Sequence, residues 1–339
     1  MKTLIRPLGA AAVAFALLAG GTATAQAYNL SGGHLPTTSP SYKINGGSSA
    51  SRTAWSAGVS DWNNAGAGVS PSTTSGSATV ALSEANDSSV SWDGITYWNN
   101  GANGVMTNVS AQLNAAYTAG YSASKREGVA AHEVGHTLGL AHSNSCVLMN
   151  PTTPDRTNCG VYRPQQDDIN GVRAIYGASS RAAAQPGTVM HLSQAESFKD
   201  LKSLHRSADA VVVASVGGQS STVKDGIPFT DHNLKVRAWL KGGSSTGSAT
   251  VHQTGGPVDG ALMQDDRDPL LQEGQTGIYF LRQYAPGKFF IIGGADGRFE
   301  ITAGNSVSAL ASSNVKDVSG SLSDLVSRTQ GLTRAEGSR

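Results

Sequence analysis

Three histidines lie close together in the stretch AAHEVGHTLGLAHSNSCVLMNP, which covers residues 130–151. They are His132, His136 and His142, and Glu133 directly follows the first of them. Two imidazoles four residues apart on a helix lie one turn apart on the same face, so both can bind one metal ion. A catalytic zinc site takes three protein ligands and leaves a fourth position open. The spacing therefore predicts a zinc site with the three histidines as ligands.

A turn after the helix is needed to bring His142 to the same ion, and Gly139 is placed to supply it. Glycine adopts left-handed backbone conformations at little cost, so the chain can reverse there. Zinc lowers the pKa of a bound water to about 7 and polarises a carbonyl group. We expect Glu133 to act as general base on the zinc-bound water and then to pass the proton to the leaving amine. These residues predict peptide-bond hydrolysis without a covalent intermediate.

The zinc could instead be structural, in which case a fourth protein ligand would close the site. Nothing nearby requires such a ligand, and Cys146 and Asp167 are the weak candidates. The chain has two cysteines, Cys146 and Cys159, and an even count in an exported protein favours a disulfide between them. The alternatives are two free buried thiols, or one cysteine as a zinc ligand.

The segment SASKREGVAAHEVGHTLG predicts the helix that carries the first two histidines. Ser124 and Glu127 have the spacing of a capping box at its start. Ala131, Val134 and Leu138 form an apolar stripe on the face opposite the imidazoles. We therefore expect this helix to bury one side in a core and to present both imidazoles to a cleft.

Further elements around this helix can complete a folded domain. Trp55, Val59 and Trp62 recur at helical spacing and predict an amphipathic helix over 53–65. The remaining predicted elements are strands at 78–82 and 104–114 and a helix at 163–177. In that last helix Asp168 lies in the first turn, where an acidic side chain favours the positive end of the helix dipole.

The composition is that of an exported protein of about two domains. The chain has 339 residues, of which 39% are hydrophobic and 14% charged, so it can bury a core. A net charge of +1 argues against a nucleic-acid or membrane-surface role. Lys2 and Arg6 precede an apolar stretch and small residues that end at Ala27. This pattern predicts a signal peptide at 1–27, rather than a membrane anchor, and a secreted, extracellular protein that does not insert into the membrane.

The second half of the chain has a different pattern, with short strand-like runs separated by turn residues. They follow a predicted linker at 179–187 and a short helix at 196–207. The runs lie at 210–216, 234–240, 249–253, 277–284, 288–294 and 298–302. Such spacing predicts a small all-β barrel or sandwich over 188–312, followed by a polar, flexible tail at 313–339. The histidines of this half are scattered, and we expect surface or structural roles for His191, His205, His232 and His252.

The segment that contains the three histidines resembles the signature of a known family. HEVGHTLGLAH fits the HExxHxxGxxH signature of the metzincin zinc metallopeptidases. Together with the LMNP and QQDDINGVRAIYG that follow, it most resembles the matrixin branch, over residues 28–178. The resemblance implies an α+β zincin-type domain with a twisted, mostly parallel sheet, an active-site helix and a small C-terminal subdomain.

The resemblance also implies roles for particular residues. Met149 corresponds to the methionine of the Met-turn beneath the metal, where it packs as a buried support. The run 108–114, with Val109 and Ala111, is expected to be the edge strand that pairs with the substrate backbone. The stretch 146–162, which ends at Tyr162, is expected to line the pocket for the residue after the scissile bond.

The chain departs from the vertebrate matrixins in two ways. We expect a bacterial-type member without a cysteine-switch propeptide, because the predicted mature chain begins near Tyr28 and both cysteines follow the site. A second zinc site is not expected, because no histidine lies between His34 and His132. Calcium sites could be built from aspartates in the first half of the chain, although nothing in the sequence supports them. The candidates are Asp61, Asp87 and Asp93.

The most concrete hypothesis is a secreted zinc endopeptidase that acts on proteins or peptides and carries a C-terminal β domain. That β domain could dock substrate, contact a cell surface or matrix, or cover the cleft. The alternative is a secreted surface- or polymer-binding protein that uses the zincin domain as a scaffold. An inactive scaffold would usually lose Glu133 or a ligand, and all four residues are present.

Overall fold

The computed structural model describes residues 28–177, 187–243, 247–258 and 260–337. The predicted signal peptide at 1–27 and all but the last residue of the predicted linker lie outside these ranges. The described residues form an α/β unit in the first half and a β unit in the second, and strand β8 contacts both. None of the described helices is long and apolar enough to cross a bilayer.

The elements are numbered in chain order. The described helices are α1 (Ser49–Asn64), α2 (Ala115–Thr118), α3 (Ala123–Thr137), α4 (Thr153–Asn158), α5 (Gln166–Gly177), α6 (Leu201–Ser207) and α7 (Leu322–Gly337). The strands up to the start of the second half are β1 (Asn29–Leu30), β2 (Ser41–Ile44), β3 (Ser72–Thr73), β4 (Val80–Ala85), β5 (Trp92–Asn100), β6 (Met106–Asn114), β7 (Leu140–Ala141) and β8 (Gly187–Gln194). The later strands are β9 (Ala210–Lys224), β10 (Ile227–Lys241), β11 (Ser248–Thr254), β12 (Gly256–Val258), β13 (Ala261–Met263), β14 (Thr276–Ala285), β15 (Lys288–Ile291), β16 (Arg298–Ile301), β17 (Ser306–Ala309) and β18 (Gly320–Ser321).

The first unit is built on a six-stranded sheet with the order β3-β2-β4-β6-β5-β8. Strands β3, β2, β4 and β6 are parallel, β5 is antiparallel to β6, and β8 is antiparallel to β5. Helices α1 and α3 pack together over this sheet in one hydrophobic core. The α+β architecture with a mostly parallel sheet and a central histidine-bearing helix is therefore confirmed for this unit.

The prediction that 108–114 is a substrate-binding edge strand is wrong. These residues lie in β6, which pairs with β4 on one side and β5 on the other, so its backbone groups are already paired. The side chains of Val109 and Ala111 are 3% and 0% exposed and belong to the core. Among the sheet strands that precede α3, β5 is the last on the side of β6, and only β8 lies beyond it. The sequence did not predict β5, because its polar and aromatic residues do not alternate.

Helix α1 is packed closely against α3. Trp55, Val59 and Trp62 are buried, as their spacing predicts, and the helix begins at Ser49 with Ser48 as its N-cap. Gly58 permits the close approach, because a Cβ atom there would lie 2.7 Å from the backbone nitrogen of Ala131. The cap of α3 also differs by two residues from the prediction, because the Ser122 side chain accepts the capping hydrogen bond from the backbone N–H of Lys125.

In the second unit, five strands close into a ring. Strand β9 pairs with β10 and β14, β10 pairs with β11, and β15 pairs with both β11 and β14. Strands β16, β17 and β18 extend from β14 outside the ring. Side chains of the five ring strands form a hydrophobic cluster separate from the core of the first unit, and it includes Val212, Leu234 and Tyr279.

Most of the described part of the predicted flexible tail is a helix, α7. Helix α7 packs against the β unit through Leu325, which is 1% exposed, and Thr329, which is fully buried. Leu322, Val326 and Leu332 pack more loosely on the same cluster. The tail was predicted to be flexible because its overall composition is polar. Its apolar stripe consists of only a few residues at helical spacing.

Candidate active site

The structure brings the three predicted ligand histidines together. His132 and His136 project from α3, and the Nε2 atom of His136 lies 3.0 Å from that of His132 and 3.2 Å from that of His142. Gly139 has a φ of +102°, and a Cβ atom there would lie 2.4 Å from the carbonyl oxygen of Gly33. Only glycine fits this turn, which carries His142 back to the end of α3.

These residues fit a zinc ion. The Nδ1 atoms of His132 and His136 donate to the carbonyl oxygens of Leu148 and Leu140, at 2.7 and 2.8 Å, which leaves each Nε2 lone pair available to a metal. Ligand nitrogens about 2.0–2.1 Å from a tetrahedral zinc lie about 3.3 Å from one another. Burial lowers the pKa of all three imidazoles well below the usual value, which favours the neutral form that binds metal.

Glu133 lies beside the triad with one carboxylate oxygen held and the other free. Its Oε2 accepts a hydrogen bond of 2.6 Å from the Oγ1 of Thr96, whereas its Oε1 is buried without a hydrogen-bond partner in the described residues. The absence of a side chain at Gly94 makes room for this carboxylate, because a Cβ atom there would lie 2.3 Å from Oε1. Burial raises the pKa of Glu133 to about 8, so this environment favours the proton-carrying form.

Met149 packs closely against the histidine-bearing helix, and its role in a Met-turn beneath a metal stays a prediction. A Cβ atom at Gly135 would lie 2.5 Å from the Sδ atom of Met149, so the helix and the methionine touch closely. The carboxylate of Asp168 fixes this turn, because it accepts hydrogen bonds from the backbone N–H groups of Leu148 at 3.0 Å and Met149 at 3.1 Å, and from a third N–H, that of Gln165, at 2.7 Å. The sequence assigned Asp168 only to the dipole of α5, so its structural role was missed.

The segment after Met149 is closed by a disulfide and contains a buried arginine. Cys146 and Cys159 are joined, with their Cα atoms 5.8 Å apart. Arg156, on α4 within this loop, is 2% exposed and donates from Nη2 to the hydroxyl oxygens of Thr153 and Ser193, at 2.6 and 2.8 Å. No pattern in the sequence points to a role for Arg156.

Tyr162 lies just beyond this loop, where its Cα atom is 3.2 Å from the position of a Cβ atom at Gly128 on α3. Its role in substrate binding stays a prediction.

The three candidate calcium ligands have separate partners. Asp61 pairs with Arg163, Asp87 accepts from Ser89, and Asp93 accepts from Ser193 and Tyr121.

His191 was expected to have a surface or structural role, and the structure places it beside the three histidines. It is 4% exposed, and its ring stacks on that of His136 with the centroids 4.5 Å apart. Neither ring nitrogen has a hydrogen-bond partner in the described residues. His191 also lies with His142, Asp265 and Asp266 in a group whose potential metal-binding atoms are within 4.8 Å of one another. No local spacing in the sequence connects these residues, because they come from three distant segments.

Comparisons with known proteins agree with the geometry. The family model for matrixin, a peptidase family, matches residues 71–177. Matrix metalloproteinase-20 of Homo sapiens is 35% identical over 122 residues, which are 35% of this chain and 24% of that protein. Neutrophil collagenase of Homo sapiens is 50% identical over 60 residues, which are 17% of this chain and 13% of that protein.

A solved structure of myroilysin aligns with a TM-score of 0.25 and 14% identity, over 39% of this chain and 66% of that one. The aligned segments span only a minor part of the length of the two curated relatives. Within those segments, the first unit of this chain is similar to the matrixin branch of the metzincin metallopeptidases.

Proposed function

We propose that the protein is a secreted zinc-dependent endopeptidase. The observation that carries this proposal is the convergence of three Nε2 atoms, from His132, His136 and His142, beside the carboxylate of Glu133. The similarity of residues 71–177 to matrixins supports the same chemistry. Protein or peptide substrates follow from that chemistry.

Zinc, when bound to the three histidines, supplies a positive charge that polarises a carbonyl group and makes water more acidic. The chain supplies the proton transfers. Thr96 holds the Oε2 of Glu133, which leaves Oε1 to take a proton from the attacking water. Because burial raises the pKa of this carboxyl group, Glu133 can keep the proton until it reaches the leaving amine nitrogen.

Secretion is proposed on independent grounds. Lys2 and Arg6 before an apolar stretch that ends near Ala27 are typical of a signal peptide. A disulfide between Cys146 and Cys159 fits an oxidising compartment. The extracellular protein would then meet its substrates outside the cell, and a contact of the β unit with a surface or matrix is part of the same hypothesis.

The substitution Glu133→Gln tests the reaction. It preserves the size of the side chain and removes the base. Because the site is buried in the wild-type chain, the comparison uses the zinc-loaded Ser193→Arg variant, in which β8 should be displaced and the cleft open. In that variant we expect Glu133→Gln to lower hydrolysis of casein and of a fluorogenic peptide by about 10²–10⁴-fold. Zinc content should not change. Glu127→Gln is the matched control, because Glu127 lies on the same helix and binds Arg163 instead, at 2.8 Å.

Hydrolysis by Ser193→Arg that does not change when Glu133→Gln is added would contradict the assigned base. If neither the zinc-loaded wild-type chain nor the Ser193→Arg variant cleaves any protein or peptide, the alternative of a secreted binding protein replaces the proposal.

A further inference from the structure

Every group of the proposed active site is buried in the full chain. The side chains of His132, Glu133 and His136 are 0% exposed, and that of His142 is 7% exposed. A peptide must reach these groups for hydrolysis to occur. The element that covers them therefore decides whether the site can work.

Strand β8 is that element. It pairs antiparallel with β5 along the whole length of both strands, from Trp92 opposite Gln194 to Asn100 opposite Gly187. On its other side, the backbone N–H of Gln194 donates to the carbonyl oxygen of Pro151 at 2.9 Å. An extended segment held between a sheet edge and a facing loop is how β-augmentation binds a peptide.

The register of β8 places two of its residues against the catalytic carboxylate. His191 is opposite Thr96, and Ser193 is opposite Gly94. Thr96 donates a hydrogen bond to Glu133, and Gly94 lies directly against its carboxylate. A peptide bond presented to Glu133 along β5 would therefore need the space that residues 191–193 occupy.

The side chains of β8 fill the site as well. Alternate residues of a strand point to the same side, so His191 and Ser193 share a face. The ring of His191 lies on that of His136, and the Ser193 hydroxyl lies between Arg156 and Asp93, at 2.8 and 2.7 Å. Both side chains are buried, and the nitrogens of His191 have no hydrogen-bond partner in the described residues.

Contacts from the second unit hold β8 in place. Met190 forms a bridge with Asp265, and Met190 and Leu192 pack with Phe229 and Met263. The indole nitrogen of Trp92, on β5, donates to the Oγ1 of Thr254 at 3.0 Å. The β unit thus contacts both β8 and its partner strand β5.

We propose that β8 is a built-in inhibitor, which occupies the peptide-binding edge of β5 with His191 over the metal site, so that the full chain is latent. This inference rests on the proposed peptidase function and names its regulation. The β unit is the part of the molecule that keeps the strand seated. Activity requires β8 to leave β5.

The substitution Ser193→Arg tests the proposal in the full, zinc-loaded chain. Ser193 is fully buried between Arg156 and Asp93, so a side chain as long as arginine has no room there, and the overpacking should expel β8. We expect the kcat/KM for a fluorogenic peptide to rise at least about 10-fold, and His191→Ala to raise it in the same direction. Thr188→Arg is the matched control, because it introduces the same side chain at the far end of β8, and it should leave hydrolysis unchanged.

Two measurements do not depend on turnover. Titration with a peptide hydroxamate should show binding to Ser193→Arg and much weaker binding to the wild-type chain. In the wild-type chain, saturating hydroxamate should increase amide hydrogen exchange in 188–194, because the two compete for one cleft. This second measurement holds even if the variant does not fold.

The proposal is overturned if the wild-type chain hydrolyses the peptide and binds the hydroxamate as well as Ser193→Arg does while β8 of the wild-type chain stays protected from exchange. So would hydroxamate binding to the wild-type chain that leaves exchange in β8 unchanged. Failure of the peptidase function looks different: Ser193→Arg binds the hydroxamate and exposes β8, yet cleaves nothing. If the function holds, adding Glu133→Gln to Ser193→Arg abolishes the gained hydrolysis.

Discussion

Asp168 anchors the loop that carries Leu148 and Met149. Its carboxylate accepts three backbone N–H groups, two of them from Leu148 and Met149, and Leu148 in turn accepts the Nδ1–H of His132. A second layer of this kind orients metal ligands and adjusts their affinity.

We expect Asp168→Ala to lower the free energy of unfolding by about 3 kcal/mol, because it leaves buried N–H donors without a charged acceptor. It should also weaken zinc binding about 10-fold or more. Urea unfolding and competition with a metal chelator measure the two effects. Asp167→Ala, at the neighbouring position of the same helix, is the control. An Asp168→Ala variant as stable as that control would show that the loop does not need the carboxylate.

At the residue scale, the sequence predicts the groups that share one short segment. His132, Glu133 and His136 follow from helical spacing, and Gly139 explains how His142 returns to them. His191 and Arg156 could not be found in this way. Their place at the site depends on strand pairing and on a folded loop, and neither leaves a periodic signal in the sequence.

At the level of the secondary-structure elements, the junction between α1 and α3 contains a half-buried acidic group. Asp61 on α1 lies near Glu127 on α3, and both contact Arg163. Burial, together with the charge of Glu127, raises the pKa of Asp61 to about 6. A carboxyl group with a raised pKa in the folded state costs stability above that pKa and none below its unfolded pKa of about 4.

Asp61→Asn should therefore be more stable than the wild-type chain at pH 8, by about 1 kcal/mol after allowance for solvent screening. The advantage should shrink as the pH falls through 6 and disappear near pH 4. Chemical unfolding at the three pH values measures this difference. A difference that is constant with pH, or that grows towards pH 4, would mean that the folded state does not disfavour the charged carboxylate.

The elements that sequence periodicity predicts best are the helices. Helices α1, α3 and α5 were expected within a few residues of their observed bounds, because apolar residues recur on one face of each. Strands β5 and β8 were not predicted to pair. Their partners are distant in the chain, and the alternation within GTVMHLSQ says only that a strand can form, not where it lies.

At the scale of the whole molecule, the two units share β8, which belongs to the sheet of the first and packs on the β unit through Met190 and Leu192. The predicted boundary at 188 therefore falls inside a contact between the units. We expect calorimetry of the wild-type chain to give one cooperative unfolding transition, because neither unit can open without losing this strand.

Ser193→Arg should uncouple the units and give two transitions in the same calorimetric measurement. The control Thr188→Arg should keep one. Two transitions already in the wild-type chain would mean that β8 does not join the units, and that the strand can leave β5 at little cost.

X-ray absorption at the zinc edge, on the full chain purified with one equivalent of zinc, shows whether the three histidines bind the metal. We expect stoichiometric zinc with at least three imidazole nitrogens at about 2.0–2.1 Å, and loss of that signal in His136→Ala. Zinc that does not bind, or binds without histidine, or keeps the same spectrum in His136→Ala, would contradict this expectation.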